Sequence, residues 1–301
     1  MKECNIPLVS VPVVTYNSSK TVIETLDSIY NQTYPNIELI VSDDCSTDNT
    51  VEICRQWIEQ HKERFVRVEL LTAEKNTGVA GNGNRAEAAC RGEWCKGIAG
   101  DDILLPNCIQ DCIEYVTEHP ETIWLFGRIK AFGENTELID YFNHRFNTNQ
   151  AFYELSKEDQ HRSLIVDGNN IPAPTAFVNV KKNRVIEGQN DEHIPLLEDY
   201  PKWLNLTTKT KLYWLDIPLV AYRIHEGALS NNGNFSSAFK ESNATFYLLY
   251  IYPELKKIKP ALAIKHYIFN QEILHQNKGV WHFLGHIGRV YEKFIRNIIK
   301  K

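Results

Sequence analysis

At 301 residues, with 43% hydrophobic and 24% charged side chains, the chain has room for one large domain or a domain with an appendage, and its composition excludes a disordered protein. The net charge of -5 is unevenly spread: beyond Glu254, lysine and arginine face only Glu272 and Glu292, so the tail is basic and the body acidic. That balance excludes a general nucleic-acid binder, and no apolar run reaches the roughly 18 residues that a bilayer span needs.

Met1–Asn5 lacks the charged-then-apolar order of a secretory leader, which points to a cytoplasmic protein. The seven cysteines, Cys4, Cys45, Cys54, Cys90, Cys95, Cys108 and Cys112, are then expected as free thiols. Cys108 and Cys112 share one face of a predicted helix and read as small buried apolar residues, since no CxxC spacing supports a zinc site.

Leu8–Val14 predicts a buried strand ended by the turn Tyr16-Asn17-Ser18-Ser19, and Val22, Ile23, Leu26, Ile29 and Tyr30 follow at helical spacing with Ser19 as N-cap. Ile37–Ser42 predicts a second strand, and Val51, Cys54 and Ile58 mark a second helix. Val66–Leu71 and Trp94–Ala99 predict further strands, separated by a helix around Ala86–Cys90, and Pro106 is placed as the first residue of the next helix. The alternation implies a mainly parallel α/β sheet flanked by helices, with ligands beyond the carboxyl ends of its strands. Further on, Ile123–Phe132, Ala176–Val180, Lys211–Leu215 and Leu219–Tyr222 read as strands, Glu198 opens a helix with Trp203 and Leu204, and helical patterns dominate from Phe235.

Polar clusters follow the strands directly. Asp101-Asp102 presents two carboxylates of the kind that hold Mg²⁺ or Mn²⁺ on a diphosphate, although acids before a helix also serve its dipole. Asp43-Asp44-Cys45-Ser46-Thr47-Asp48 ends a strand and opens a helix; capping explains Ser46, Thr47 and Asp48 better than the two leading acids. The stretch Asn76–Asn84 reads as a flexible loop, its Gly-x-x-Gly-x-Gly order the reverse of a dinucleotide fingerprint. Glu198-Asp199 suits either the first turn of a helix or a general base, and His225 stands alone.

Together, Val9–Asn17, Leu26–Glu38, Val41–Thr50, Asn76–Gly78, Gly100–Asp102, Glu198-Asp199 and Tyr222–Ser230 resemble an inverting family-2 glycosyltransferase of the GT-A fold, with the blocks in family order from Leu8 to about Ser230. The resemblance implies a GT-A domain over residues 1–232, with a nucleotide-binding half to about 105 and an acceptor half from 106, followed by a helical extension over 233–301. It implies a nucleotide-sugar donor, most often a UDP-sugar, a glycan or lipid-linked acceptor, and Mn²⁺ or Mg²⁺ as cofactor. Val14 (through its backbone), Tyr16 and Asp44 match residues that hold the nucleobase, Asp43 supports their loop, and Asn76 joins the nucleotide-binding set. Asp101 matches a nucleotide-sugar contact, Asp102 the metal ligand, Asp199 the general base, and His225 a residue that closes over the diphosphate or reaches the metal.

There are departures. Ala99 stands where many relatives have a further Asp, and Gly83 where an arginine often precedes the residue matching Asn84, leaving Arg85 as a substitute phosphate contact. No Gln-x-x-Arg-Trp motif of processive synthases is present. Acceptor contacts are expected between Glu134 and Val180, with Pro172–Thr175 lining that side. The tail's apolar stripe, Val280, Phe283, Ile287, Val290, Phe294 and Ile298, with bases elsewhere around the helix, suits either an anionic membrane or packing on protein. A nucleotidyltransferase and a non-catalytic sugar-binding protein are the competing functions; release of free nucleoside diphosphate separates all three.

Overall fold

The computed structural model describes residues 6–186, 197, 199–225 and 237–275. Glu198 and the tail stripe from Val280 to Ile298 lie outside them, so neither expectation is addressed by the fold. Strand β1 (Val9–Thr15) and strand β2 (Ile37–Asp43) are buried along almost their whole length, the pattern of strands covered on both faces. With β3 (Arg67–Thr72) they form the parallel order β3-β2-β1, linked by helices α1 (Val22–Tyr30) and α2 (Thr50–His61). Val9, Val11, Val13, Leu26, Ile29, Leu39 and Val41 join Cys108, Ile109 and Cys112 in the first core.

The strand expected over Trp94–Ala99 is two short ones, β4 (Trp94–Cys95) and β5 (Ile98–Ala99), both parallel to β1. Pro12 explains the break. The carbonyls of Ser10 and Val14 accept from Lys96 and Gly100 on this side of β1, so Pro12, two residues from each, faces the same neighbour and has no N–H to offer. The ladder lapses opposite it, at Lys96-Gly97. Strand β6 (Ile103–Leu104) follows, and α4 (Cys108–Glu118) starts two residues after Pro106, with Asn107 as its N-cap, rather than at the proline. Likewise α1 is preceded by Thr21, not Ser19, because the Ser19 N–H bonds to Asp48 across the loop instead.

Asn76–Asn84 is also not a loop: α3 (Gly78–Ala89) begins at Gly78. Its poor helix formers are offset by tertiary bonds, since buried Asn82 accepts from the Ser42 hydroxyl at 2.7 Å and donates to the Thr15 carbonyl at 3.2 Å. At Gly81 a Cβ would lie 2.8 Å from the Thr77 side chain, so the first turn closes only around a glycine.

The second half extends the same sheet through β8 (Phe177–Asn179), β7 (Trp124–Gly133) and β9 (Leu212–Ile224) to β6. The two strands expected on either side of residue 217 are one, β9, whose register against β7 shifts at Arg128 to absorb Pro218. Helices α5 (Thr136–Asn147), α6 (Gln150–Glu154) and α7 (Lys157–Asp167) fill the stretch where acceptor contacts were expected, and α8 (Val180–Ile186) and α9 (Asp199–Thr207) follow. A second core gathers Trp124, Phe126, Tyr153, Trp203 and Leu206 with Phe246 of α10 (Ser237–Phe246), Leu255 of α11 (Tyr252–Ile258) and Ala263 of α12 (Pro260–Leu274). The described C-terminal helices therefore share a core with β7 and α9. No helix among the described residues is long and apolar enough to cross a membrane.

Candidate active site

Three strand ends converge where β1, β2 and β5 stop. The Asp44 N–H donates to the Thr15 carbonyl at 3.0 Å, and the Gly100 N–H donates to the Val14 carbonyl at 2.9 Å, so Val14 spends that group within the sheet. Beyond the strand, Tyr16 is 49% exposed, its aromatic ring outside the core. Asn17, at φ +52°, turns the chain and accepts the Thr47 N–H at 2.8 Å, while its own N–H reaches Ser46. Cys45 is also left-handed, at φ +65°.

Asp43 and Asp44 are buried and saturated. Asp43 accepts from the Thr15 hydroxyl at 2.8 Å and from the N–H and hydroxyl of Ser46 at 2.8 and 2.6 Å, which ties β1 to the loop after β2. Asp44 accepts from the N–H groups of Thr77 and Gly78, from the Thr77 hydroxyl at 2.6 Å and from Arg85 at 3.1 Å. Its carboxylate thus anchors the N-terminus of α3, where the macrodipole favours it. Exposed Asn76 accepts the Gly78 N–H at 3.0 Å in the same turn. Arg85, besides Asp44, donates to Ser42 and Asn82, so it braces this carboxylate from inside α3.

The β6–β9 pairing, Ile103 opposite Ala221 and Leu104 opposite Val220, carries Asp101-Asp102 alongside Arg223. The Arg223 N–H donates to Asp102 Oδ1 at 2.8 Å, its Nε to the Asp101 carbonyl at 2.7 Å, and its Nη2 to Glu24 of α1 at 2.8 Å. The guanidinium lies 4.6 Å above the Phe132 ring. From α1, the hydroxyls of Thr21 and Thr25 donate to the carbonyls of Gly100 and Asp102. His225 Nε2 sits 3.0 Å from Asp101 Oδ2. Asp102 is only 2% exposed, and burial pushes its carboxyl well above the usual carboxylate range; the Asp101 charge adds to this, against the Arg223 N–H and the Lys96 and Arg223 charges.

Asp199 opens α9 on a separate wall. Asn169 donates to its Oδ2 at 2.9 Å and the Tyr200 N–H to its Oδ1 at 2.7 Å. Burial raises this carboxyl too, with both hydrogen bonds opposing. Its side-chain partner comes from the α7–β8 connection and its main-chain partner from α9 itself.

Whether the residues suit a divalent cation is decided by their donor atoms. Asp102 commits one oxygen to Arg223 and its other oxygen receives no hydrogen bond among the described residues. Asp101 and His225 are adjacent, and a carboxylate-rich set suits a hard ion. No three His, Cys, Asp or Glu side chains among the described residues close around an ion. The residues fit such a group.

Sequence reasoning gave no role to Arg223, Lys96 or Asn169. Lys96 carried a signal, a charge inside an otherwise apolar run, and it is wholly buried. Asn169 carried none.

The doubly covered sheet, with its acids at the carboxyl ends of the strands, is an α/β architecture that binds ligands beyond those ends. The sequence matches the model of "Glycosyl transferase family 2" over residues 10–173, more than half its length, and the chain belongs to that family. It is 25% identical over 253 residues to the putative teichuronic acid biosynthesis glycosyltransferase TuaG of Bacillus subtilis, spanning 84% of this chain and 90% of that one. The fold is that of TarS residues 1–349 of S. aureus in complex with UDP-GlcNAc, with TM-score 0.60, 20% identity, and 88% and 72% of the two chains covered. The mannosyltransferase PcManGT of Pyrobaculum calidifontis, in complex with GDP-Man and Mn²⁺, matches with TM-score 0.56 and 17% identity over 95% and 80% of the chains. The GT-A expectation holds, and the family sets the nucleotidyltransferase alternative aside.

Proposed function

We propose that this glycosyltransferase inverts the anomeric centre, taking a sugar from a UDP-sugar and passing it to a hydroxyl of a cell-surface polysaccharide or glycolipid under assembly. The observation that carries the reading is Asp102: a buried carboxylate beside Asp101, at the carboxyl end of the sheet, with one oxygen that accepts no hydrogen bond from the described residues. TarS in complex with UDP-GlcNAc supports the donor class, and TuaG supports the acceptor class.

In this reading the nucleobase stacks on Tyr16, on the loop that Asp43, Asp44 and Asn76 shape, and Asp101 faces the sugar diphosphate. Asp102 and His225 hold the divalent cation, Mn²⁺ or Mg²⁺. When bound, that ion supplies positive charge against the departing diphosphate. Asp199 Oδ accepts the proton of the acceptor hydroxyl as that oxygen attacks the anomeric carbon from the face opposite the diphosphate. Its raised affinity for a proton suits it to that transfer. His225 closes the diphosphate side by way of Asp101.

Purified protein incubated with UDP- and GDP-sugars, with Mn²⁺, Mg²⁺ or EDTA, is expected to release UDP only when metal is present, and Asp102→Ala to abolish metal-dependent UDP binding in calorimetry. Unchanged UDP affinity in that variant removes Asp102 from the metal site.

A further inference from the structure

The carboxylate assigned as base is held by a segment with its own anchorage. Gly168, at φ +90°, ends α7 and turns the chain into residues 169–175. Asn169 stands at the start of that segment. Its Oδ1 accepts the Ile171 N–H at 3.0 Å, which leaves only its NH₂ to face Asp199, and Nδ2 donates to Asp199 Oδ2 at 2.9 Å. The amide has one orientation, and it points the carboxylate.

Both ends of the segment are pinned. Arg145 of α5 donates through Nη2 to the Asn169 carbonyl at 2.8 Å and through Nε to Asn170 Oδ1 at 3.1 Å. At the other end Lys96, with no exposed surface, donates from Nζ to the Pro174 carbonyl at 2.6 Å and to the Gly97 carbonyl at 3.0 Å. The Thr175 hydroxyl accepts from the Gly127 N–H at 3.1 Å and donates to the Pro172 carbonyl at 2.8 Å. Burying an ammonium is costly unless its hydrogen bonds are met. Here it bonds main chain only, on two elements, one next to the Asp101-Asp102 loop and one leading back to Asp199. A cation spent in this way fixes the distance between two walls.

We propose that Asn169 is a positioning residue for Asp199, and that Arg145 and Lys96 pin the segment that carries it. The proposal rests on the reading of Asp199 as the base. Without the Asn169 amide, the Asp199 side chain loses its one side-chain donor among the described residues and turns about the Tyr200 N–H, and a misplacement of about 1 Å costs roughly 10²-fold in rate.

The test compares Asn169→Ala, Asp199→Asn, the double variant and Arg145→Gln by steady-state kinetics on a UDP-sugar, with UDP affinity and melting temperature measured alongside. Asn169→Ala is expected to lower kcat about 10- to 100-fold with donor KM and UDP affinity unchanged. Adding it to Asp199→Asn is expected to cost nothing more, because Asn169 acts only through that carboxylate. Arg145→Gln is expected to show a smaller kcat loss at the same KM. Multiplying effects in the double variant, or a rise in donor KM that accounts for the loss, overturns the proposal. Wild-type kcat in Asn169→Ala beside an inactive Asp199→Asn overturns it and leaves the base in place. Full activity of Asp199→Asn instead removes the base itself.

Discussion

Replacing Arg223 by methionine tests how the acid pair is held. The variant keeps the backbone N–H to Asp102 and much of the side-chain volume but loses the guanidinium bonds to the Asp101 carbonyl and to Glu24. A charge-assisted hydrogen bond to a carbonyl contributes about 1.5–3 kcal/mol. The ion pair to half-exposed Glu24 adds about 0.5 kcal/mol, and the stack on Phe132 about 0.5–1 kcal/mol. The expected loss is therefore about 3 kcal/mol, which in a chain of this size lowers Tm by roughly 6–10 °C. Arg223→Lys restores the charge but has one ammonium for two partners on different elements, so it recovers less than half of the loss. The assay is thermal unfolding followed by calorimetric UDP titration with Mn²⁺, in which Arg223→Met also weakens binding as the Asp101-Asp102 backbone loosens. Wild-type stability and UDP affinity in Arg223→Met would refute the claim that this side chain clamps the pair.

Three further expectations follow from the same geometry. Asp199→Asn lowers kcat by about 10²–10⁴-fold with UDP affinity intact, as single-turnover kinetics will show. Because burial raises the Asp199 carboxyl above 3.8, the acid limb of kcat/KM falls at higher pH than an ordinary carboxylate dictates, and activity is lost as the group gains its proton. Glu38→Ala costs about 3 kcal/mol by denaturant unfolding, since it leaves the Arg91 N–H unmet and removes one buried partner each from Arg67, Gly92 and Ser10. Hydrogen bonds hold Glu38 below 4.5 despite its burial, so this contribution is present above that pH and disappears as pH falls through the lowered folded value. Cys45→Gly, at φ +65°, raises stability by about 1 kcal/mol in the same assay.

The first two strands were legible because parallel strands covered on both faces are mostly apolar, as Val9–Val14 and Ile37–Val41 are apart from Ser10 and Glu38, and the first two helices because their apolar residues recur at helical spacing. Where the reading missed, tertiary structure had overridden local preference. The Gly- and Asn-rich run from Gly78 has little helix propensity, and tertiary bonds offset this, those of Asn82 to Ser42 and Thr15 and those of Asp44 to the helix N-terminus. The split at Lys96-Gly97 is written in Pro12, more than 80 residues earlier, and no window along the chain joins the two. Asp101, Asp102 and Tyr16 stood out as residues placed just after strands. Asn169 follows a helix in a stretch without periodicity, and only the fold brings it to Asp199.

Counting donors on each buried carboxylate separates acids that the sequence makes look equal. Glu38 takes four: the Ser10 hydroxyl, the Arg91 and Gly92 N–H groups, and Arg67. Asp43 takes three and Asp44 four. Such groups are held in place, and losing their charge costs the fold. Among the described residues Asp102, as deeply buried as Asp44, receives one donor to its carboxylate, and half-buried Asp199 receives two. A carboxylate desolvated without that compensation binds a proton or a cation more avidly than one in water. In the proposed mechanism these two acids, both pushed upward by burial, are the ones with something left to bind, a cation at Asp102 and a hydroxyl proton at Asp199. In Asp43-Asp44 and Asp101-Asp102 the sequence shows the same dipeptide twice, and the count of donors separates Asp43 and Asp44, held within the architecture, from Asp102, to which the proposed function gives the chemistry.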